Sequence, residues 1–185
     1  MINKLFEKIS RFFGNLISQK FKLNHKYQNK NQVTNCEIIL RLLKEKNFYP
    51  KFIYDIGCGH GQWTQKCIKF FPNSKYHLFD ANNNNLHKLS LLKKNNTNID
   101  YKICLLSDDY SSYDFFNMGY GSSIFEEQTS FDRYVEKLNS TTLYNEISPD
   151  CKLYSNNLIK LDVQGAEIKI LKGLKEYISL FEVII

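Results

Sequence analysis

Three aspartates stand where an apolar run meets a break in the sequence. Asp55 lies in Ile53-Tyr54-Asp55-Ile56-Gly57, Asp80 follows Tyr76-His77-Leu78-Phe79, and Asp162 follows Leu158-Ile159-Lys160-Leu161. Each run reads as a buried strand. A carboxylate at a strand's end can accept from hydroxyls, pair with a cation or move a proton. A lone buried Asp raises its own pKa and costs stability, so three on one rim argue for a site. The first leads into Gly57-Cys58-Gly59-His60-Gly61. Gly57 and Gly59 permit a tight turn and a close approach of the backbone to a ligand, and Gly61 permits close packing where a helix begins. The pattern D-x-G-x-G-x-G differs from the G-x-G-x-x-G that sets a pyrophosphate on a helix N-terminus. A carboxylate two residues before the first glycine repels phosphate and favours a cation.

Asp80 lies 19 residues past Gly61, close to the roughly 20-residue spacing at which a dinucleotide fold places a ribose-binding acid. Two carboxylate oxygens accept from both ribose hydroxyls; the alternative is a turn-forming Asp. For Asp55, an amino acid with a sulfonium centre meets the demand for a cation. Ser107-Asp108-Asp109 follows the run Ile99 to Leu106, and an acid there either accepts from an adenine amino group or belongs to a plain turn. Cys58 is expected to pack beside the ligand, His60 to fill the loop, and Glu167 to act as a cap or ion partner. The helix after Asp162 is expected to bury Ile168, Leu171 and Leu174.

Asp55 to Trp63 resembles motif I of class I S-adenosylmethionine (SAM)-dependent methyltransferases. Ile159-Lys160-Leu161-Asp162-Val163-Gln164-Gly165-Ala166-Glu167, followed by Leu171-Lys172-Gly173, resembles the signature of the FkbM methyltransferase family. Gln62-Trp63 and Gly121-Ser122-Ser123 are similar to further parts of that family's pattern. The resemblance covers roughly residues 36 to 185. It implies an α/β, Rossmann-like, mostly parallel sheet with helices on both faces. It also implies SAM as methyl donor and O-methylation of a hydroxyl on a sugar or other small metabolite. On that resemblance Asp55, Gly57, Cys58, Gly59, Gly61, Asp80, Ser107 and Asp108 bind the cofactor, and Asp162 is the catalytic orienter or general base. Three departures stand out. Cys58-Gly59-His60 replaces the family's Asn after Ala, Asp80-Ala81 replaces a Glu that often precedes proline, and Thr142-Leu143-Tyr144 lacks the acid of T-L-D. The rival readings are a catalytically incomplete SAM-binding module and a nucleic-acid methyltransferase. The second lacks an N-P-P-Y motif and a Pro-Cys nucleophile, the three prolines being Pro50, Pro72 and Pro149.

The elements that must position these residues follow from periodicity. A length of 185 residues suits one domain, burying roughly 70 per cent of its unfolded surface. Strands are expected over Lys51 to Ile56, Lys75 to Asp80, Ile99 to Leu106, Leu158 to Leu161 and Phe181 to Ile185, with an extra one over Tyr134 to Leu138. Helices are expected over Cys36 to Lys46, with Asn35 as N-cap, Trp63 to Phe71, and Asn85 to Lys94, the last turning Leu86, Leu89 and Leu91 or Leu92 to the sheet. The sequence stops inside the fifth strand, so the sheet is expected to lack its usual antiparallel finish and the domain, residues 33 to 185, to be incomplete there.

Residues 1 to 32 are expected to form an amphipathic basic helix and a linker. Ile2, Leu5, Phe6, Ile9, Phe12, Phe13, Leu16 and Ile17 recur at helical spacing, with Lys4, Lys8, Arg11 and Lys20 largely on the other faces. Residues 1 to 23 fit either docking on the domain or a second subunit, or binding at a membrane surface. The net charge of +6 is spread along the chain, a weak footprint for nucleic acid. The expected partner is a small hydroxylated molecule. Cys36, Cys58, Cys67, Cys104 and Cys151 make an odd set without C-x-x-C pairs, so neither a zinc site nor a disulfide framework is expected. Reduced thiols suit a cytoplasmic protein.

Overall fold

The computed structural model describes residues 35–119, 121–126 and 132–185. The helix and linker expected over residues 1 to 32 lie outside them. Helix α1 spans Asn35–Glu45 and buries Ile38, Leu42 and Leu43 at helical spacing, with Leu40 buried as well. The site lies within the unit Leu43–Ile185.

Five parallel strands carry it: β1 (Phe52–Ile56), β2 (Lys75–Asp80), β3 (Ile99–Ile103), β7 (Asn157–Leu161) and β8 (Phe181–Ile184), in the order β3-β2-β1-β7-β8. Every residue of β1 is buried, as a central parallel strand covered on both faces must be. Alternate residues face opposite layers. Phe52, Tyr54 and Ile56 join a core with Leu143, Ile147, Ile170 and Leu174. These come from α4 (Leu143–Glu146), α5 (Glu167–Gly173) and the segments flanking them. On the other face α2 (Gln62–Phe70) brings Thr64 to Asp55. There α3 (Leu86–Asn95) brings Leu89 and Leu92 against the Gly61 turn and Leu78 of β2. This is the expected α/β, Rossmann-like architecture.

Tyr54 anchors the first layer. Its ring stacks at 5.0 Å from His77 and 6.1 Å from Phe79 and meets Phe181 edge-on at 5.4 Å. Each such contact is worth roughly 0.5–1.5 kcal/mol beyond burial. Its hydroxyl accepts from the Ser148 amide at 2.9 Å, which satisfies the polar end. Burial lowers the His77 pKa.

Three expectations change. The run Ile99 to Leu106 is two strands. The Cys104 amide donates to Asp80 O at the end of β2, and β4 (Leu105–Ser107) then leaves for a second sheet, ordered β4-β6-β5. There β6 spans Tyr134–Thr142, longer than expected, and pairs antiparallel with β5 (Ser112–Asn117). Secondly, α5 turns Ile170 and Leu174 inward with Ala166 and leaves Ile168 53 % exposed, because the helix starts at Glu167 and its stripe runs i, i+4, i+8 from Ala166. Thirdly, α3 buries Leu89 but exposes Leu86 and Leu91, its first residues forming a separate 3-10 turn over Asn83–Asn85. No described helix is long and apolar enough to cross a membrane.

Candidate functional site

The strand order reverses between β1 and its two neighbours, β2 on one side and β7 on the other. In open α/β sheets ligands bind outside the carboxyl ends of strands at such a switch point. A cleft of about 170 Å³ opens there, with Gly57, Gly59, Asp80, Leu105, Ser122 and Asp162 among its walls.

The glycine turn is fixed from below. Gly57 and Cys58 both donate their amides to Phe79 O, at 2.9 and 3.1 Å. Gly57 has φ +69°, and a Cβ there would stand 2.0 Å from Asp162 O. The residue must be glycine because the β7 exit passes directly against it. Gly59, at φ +54°, has nothing within 4 Å of a Cβ, so its bare backbone faces the cleft. Gly61 does not line the cleft; a Cβ there would meet Leu92 Cδ2 at 2.4 Å, and its role is helix packing. Cys58 is buried beneath the turn, where burial, and then the nearby Asp55 and Asp80 carboxylates, hold its thiol well above the usual range.

Asp80 is the most constrained acid in the cleft wall. Its Oδ2 accepts from the Gly59 amide at 2.6 Å, and its Oδ1 accepts from the Asn82 amide at 2.9 Å and from Asn85 Nδ2 at 3.0 Å. Burial raises its pKa, and the three donors only partly counter that. The carboxylate is thus locked to the turn, with acceptor capacity left toward the cleft.

Asp55 and Asp162 meet through a residue that motif reading passed over. Asp55 is wholly buried. Its Oδ2 accepts from Thr64 Oγ1 at 2.6 Å, while Oδ1 faces Lys160 Nζ at 3.1 Å as an ion pair rather than an aligned hydrogen bond. Asp55 therefore does not line the cleft; the cation it faces is Lys160. That lysine also donates to Gly57 O at 3.0 Å and lies 3.5 Å from Asp162 Oδ2. Burial opposes its charge, but the Asp55 and Asp162 carboxylates outweigh burial and raise its pKa. The signal was available: a lysine inside the apolar run Leu158 to Leu161 pairs in register with Asp55, and a buried cation requires an anion. Asp162 has a side chain 59 % exposed and accepts from Gln164 Nε2 at 3.1 Å.

Ser107 and Asp108 lie apart from the cleft. Ser107 is buried and donates to Asp108 and Tyr113. Asp108 pairs with Lys169 at 3.0 Å, which lowers its pKa. The Asp108–Lys169 pair joins the β4 exit to α5, and α5 packs so closely there that a Gly173 Cβ would stand 2.3 Å from Ser107 O. The corresponding wall is instead Cys104, Leu105 and Leu106. Gly121-Ser122-Ser123 lines the opposite side. Ser123 Oγ donates to Gln164 O at 2.8 Å, and Asn117 Oδ1 accepts from Asn82 Nδ2 at 2.9 Å, tying this loop to both aspartates' exits. Among the described residues no cluster of His, Cys, Asp and Glu is arranged to hold a metal. Glu167, at the start of α5, accepts from the Val163 and Gly165 amides, a capping role.

No family model and no curated protein matches the sequence. Among solved structures the chain is similar to a precorrin-6y C5,15-methyltransferase from Geobacter metallireducens, at 9 % identity over 78 % of this chain and 58 % of that one, TM-score 0.40. It is similar to a protein assigned as a caffeoyl-CoA O-methyltransferase from Staphylococcus aureus, at 9 % identity over 93 % of this chain and 68 % of that one, TM-score 0.44. A coclaurine N-methyltransferase bound to N-methylheliamine and SAH is similar at 12 % identity over 80 % of this chain and 36 % of that one, TM-score 0.37. The chain spans less than two thirds of the first and third of these. Identities this low are a likeness of fold alone.

Proposed function

We propose that the protein is a SAM-dependent methyltransferase of FkbM type acting on a hydroxyl of a small molecule. One observation carries the reading: a carboxylate, Asp80, is locked by the Gly59 amide at the switch-point cleft and keeps acceptor capacity toward it. A phosphate would be repelled there, whereas ribose hydroxyls donate to it. The residues fit SAM. Asp80 holds the ribose, the bare backbone at Gly59 admits the amino-acid portion, and Leu105 and Leu106 offer an apolar wall to a flat base. Ser107, Asp108 and Gly61 act behind that site rather than on the ligand.

When bound, SAM supplies an electrophilic methyl group. The chain's own part is positioning, worth roughly 7–11 kcal/mol of a barrier when geometry is right, and proton acceptance. Asp162 is the exposed carboxylate at the β7 exit, oriented by Gln164 and Lys160, and serves as orienter or general base toward an acceptor hydroxyl. Gly121-Ser122-Ser123, beside Gln164, forms the acceptor side.

The test is a thermal-shift comparison of SAM with NAD. SAM at 100 times its dissociation constant adds about 2.7 kcal/mol of stability, and NAD adds none. A shift with NAD and none with SAM overturns the reading. Turnover on hydroxylated acceptors then tests Asp162: at saturating SAM, Asp162→Asn is expected to lose about 10²–10⁴-fold in kcat.

A further inference from the structure

We infer that the Asp55–Lys160 pair sets the charge of the cleft: Lys160 neutralises the buried acid at the end of β1, and the protein's preference for a cationic donor over its neutral product is governed by that pair. The inference rests on the SAM reading and names what decides between SAM, a sulfonium, and S-adenosylhomocysteine (SAH), a thioether.

The geometry begins with one ammonium and three acceptors. Lys160 Nζ reaches Asp55 Oδ1 at 3.1 Å, Gly57 O at 3.0 Å and Asp162 Oδ2 at 3.5 Å. The three belong to β1, the glycine turn and the β7 exit, so one cation, through one hydrogen bond and two ion pairs, joins the segments that form the cleft floor. Gly57 and Asp162 line the cleft, whereas Asp55 does not. A buried ion pair is weak support for stability, since an apolar pair of similar volume serves as well. The pair is therefore better explained by the charge it fixes. With Lys160 present, Asp55 adds no net charge beneath the ligand, and Asp162 and Asp80 remain as the acids of the cleft wall. Glu167, capping α5, and the Cys58 thiol are unchanged in every comparison below. SAM and SAH share the amino and carboxylate groups and differ by the sulfonium charge, so at an effective dielectric near 20 one unpaired charge several ångströms away alters their affinity ratio by about tenfold or more. Lys160 is on this account a positioning residue with an electrostatic signature.

The experiment titrates SAM and SAH by calorimetry into the full chain as wild type, Asp55→Asn, Lys160→Met and the double variant. Asp55→Asn leaves Lys160 with Asp162 as its carboxylate partner and makes the cleft floor one charge more positive, so the SAM-over-SAH preference is expected to fall about tenfold. Lys160→Met leaves a buried acid without its cation, which favours uptake of a proton, so the titration of this variant is carried up to about pH 9, where the preference is expected to rise by a similar factor. The double variant is expected to return within about threefold of wild type, as a charge-compensating pair does in a mutant cycle. Either single variant decides the matter if the other fails to fold. A merely structural brace would weaken both ligands together, and an unchanged ratio in a folded single variant overturns the inference. If wild type binds neither SAM nor SAH, the cofactor reading falls first and takes the inference with it. If it binds both and the ratio does not move, only the inference falls.

Discussion

Asp80 and Asp162 stand at the carboxyl ends of β2 and β7, two sides of one cleft, yet the chain treats them differently. Asp80 receives three donors, from Gly59, Asn82 and Asn85, within 2.6–3.0 Å. Asp162 is 59 % exposed, held by the Gln164 amide and by a lysine 3.5 Å away. The first acid is set before any ligand arrives, which lowers the cost of ordering on binding. The second is open to solvent and faces the side where an acceptor would enter. A donor that never changes suits the first arrangement, and an acceptor hydroxyl that must lose a proton suits the second.

The sharpest way to break this contrast is at Gly57, where the two sides touch. Gly57→Ala places a methyl 2.0 Å from Asp162 O at φ +69°. A left-handed Cβ costs about 1–2 kcal/mol, and the backbone overlap adds strain that moving a side chain cannot relieve. Chemical denaturation is expected to show a loss of about 3 kcal/mol or more, with SAM binding abolished. Gly59→Ala is the internal control, since its Cβ meets nothing within 4 Å. Its loss is expected to stay near the left-handed penalty of about 1–2 kcal/mol. Equal losses at the two glycines would remove the claim that the β7 exit fixes the turn.

Asp80→Asn comes next. Charged hydrogen bonds contribute roughly 1.5–3 kcal/mol, so SAM affinity is expected to fall about 10- to 100-fold in calorimetry. The pH dependence carries a sign that separates binding from folding. Burial raises the Asp80 pKa in the folded state, so folding takes up a proton. Its contribution to stability is present below the unfolded carboxylate value of about 3.9 and is lost as pH rises through the folded value. In the window above about pH 4, ligand-free wild type loses stability relative to Asp80→Asn. SAM affinity rises over the same window, because ribose hydroxyls need the ionised acceptor. If stability and affinity move together, Asp80 is not the ribose acid.

The contrast also explains which features were legible in the sequence. The strands β1, β2 and β7 are mostly apolar runs with an aspartate at or just past the carboxyl end, so the sheet and its rim followed from periodicity. The run Ile99 to Leu106 holds no glycine or proline, and nothing local marks the break at Cys104; it comes from β2 ending at Asp80. The roles of Ser107 and Asp108 depend on Lys169, a partner 61 residues on. Asp55 looked like a ligand residue because the acid-glycine spacing is local, whereas Lys160 reaches it only once β1 and β7 pair in register. Short-range patterns located the turn and the acids. Pairing across the sheet decided which acid faces the cleft.

Ser123→Ala tests the acceptor side with a smaller effect. Ser123 Oγ donates to Gln164 O and accepts from the Phe125 amide at 3.0 Å, in a residue 3 % exposed. Leaving those groups unpaired is expected to cost about 1–3 kcal/mol in denaturation and to leave SAM affinity within about twofold, because the proposed cofactor wall is tied to Asp80 and Gly59. An equal loss of SAM affinity would mean that the two sides are one cooperative unit.

Gln164→Gly should give the smallest effect on stability and probes the freedom of Asp162 directly. Gln164 sits at φ 53°, a conformation that costs a side chain about 1–2 kcal/mol. Glycine relieves that strain but brings a more flexible unfolded chain, which takes back about 0.4–1 kcal/mol. The two terms nearly cancel, so the unfolding free energy is expected to move by no more than about 1 kcal/mol, in the stabilising direction. The substitution also removes the Nε2 donor from Asp162 Oδ1 and leaves Lys160 as the remaining partner that orients the carboxylate. SAM affinity is expected to hold while turnover on an acceptor falls, a loss in kcat rather than in cofactor binding. If SAM affinity falls instead, Asp162 belongs to the fixed side with Asp80, and the division of the cleft into a set wall and a free one fails.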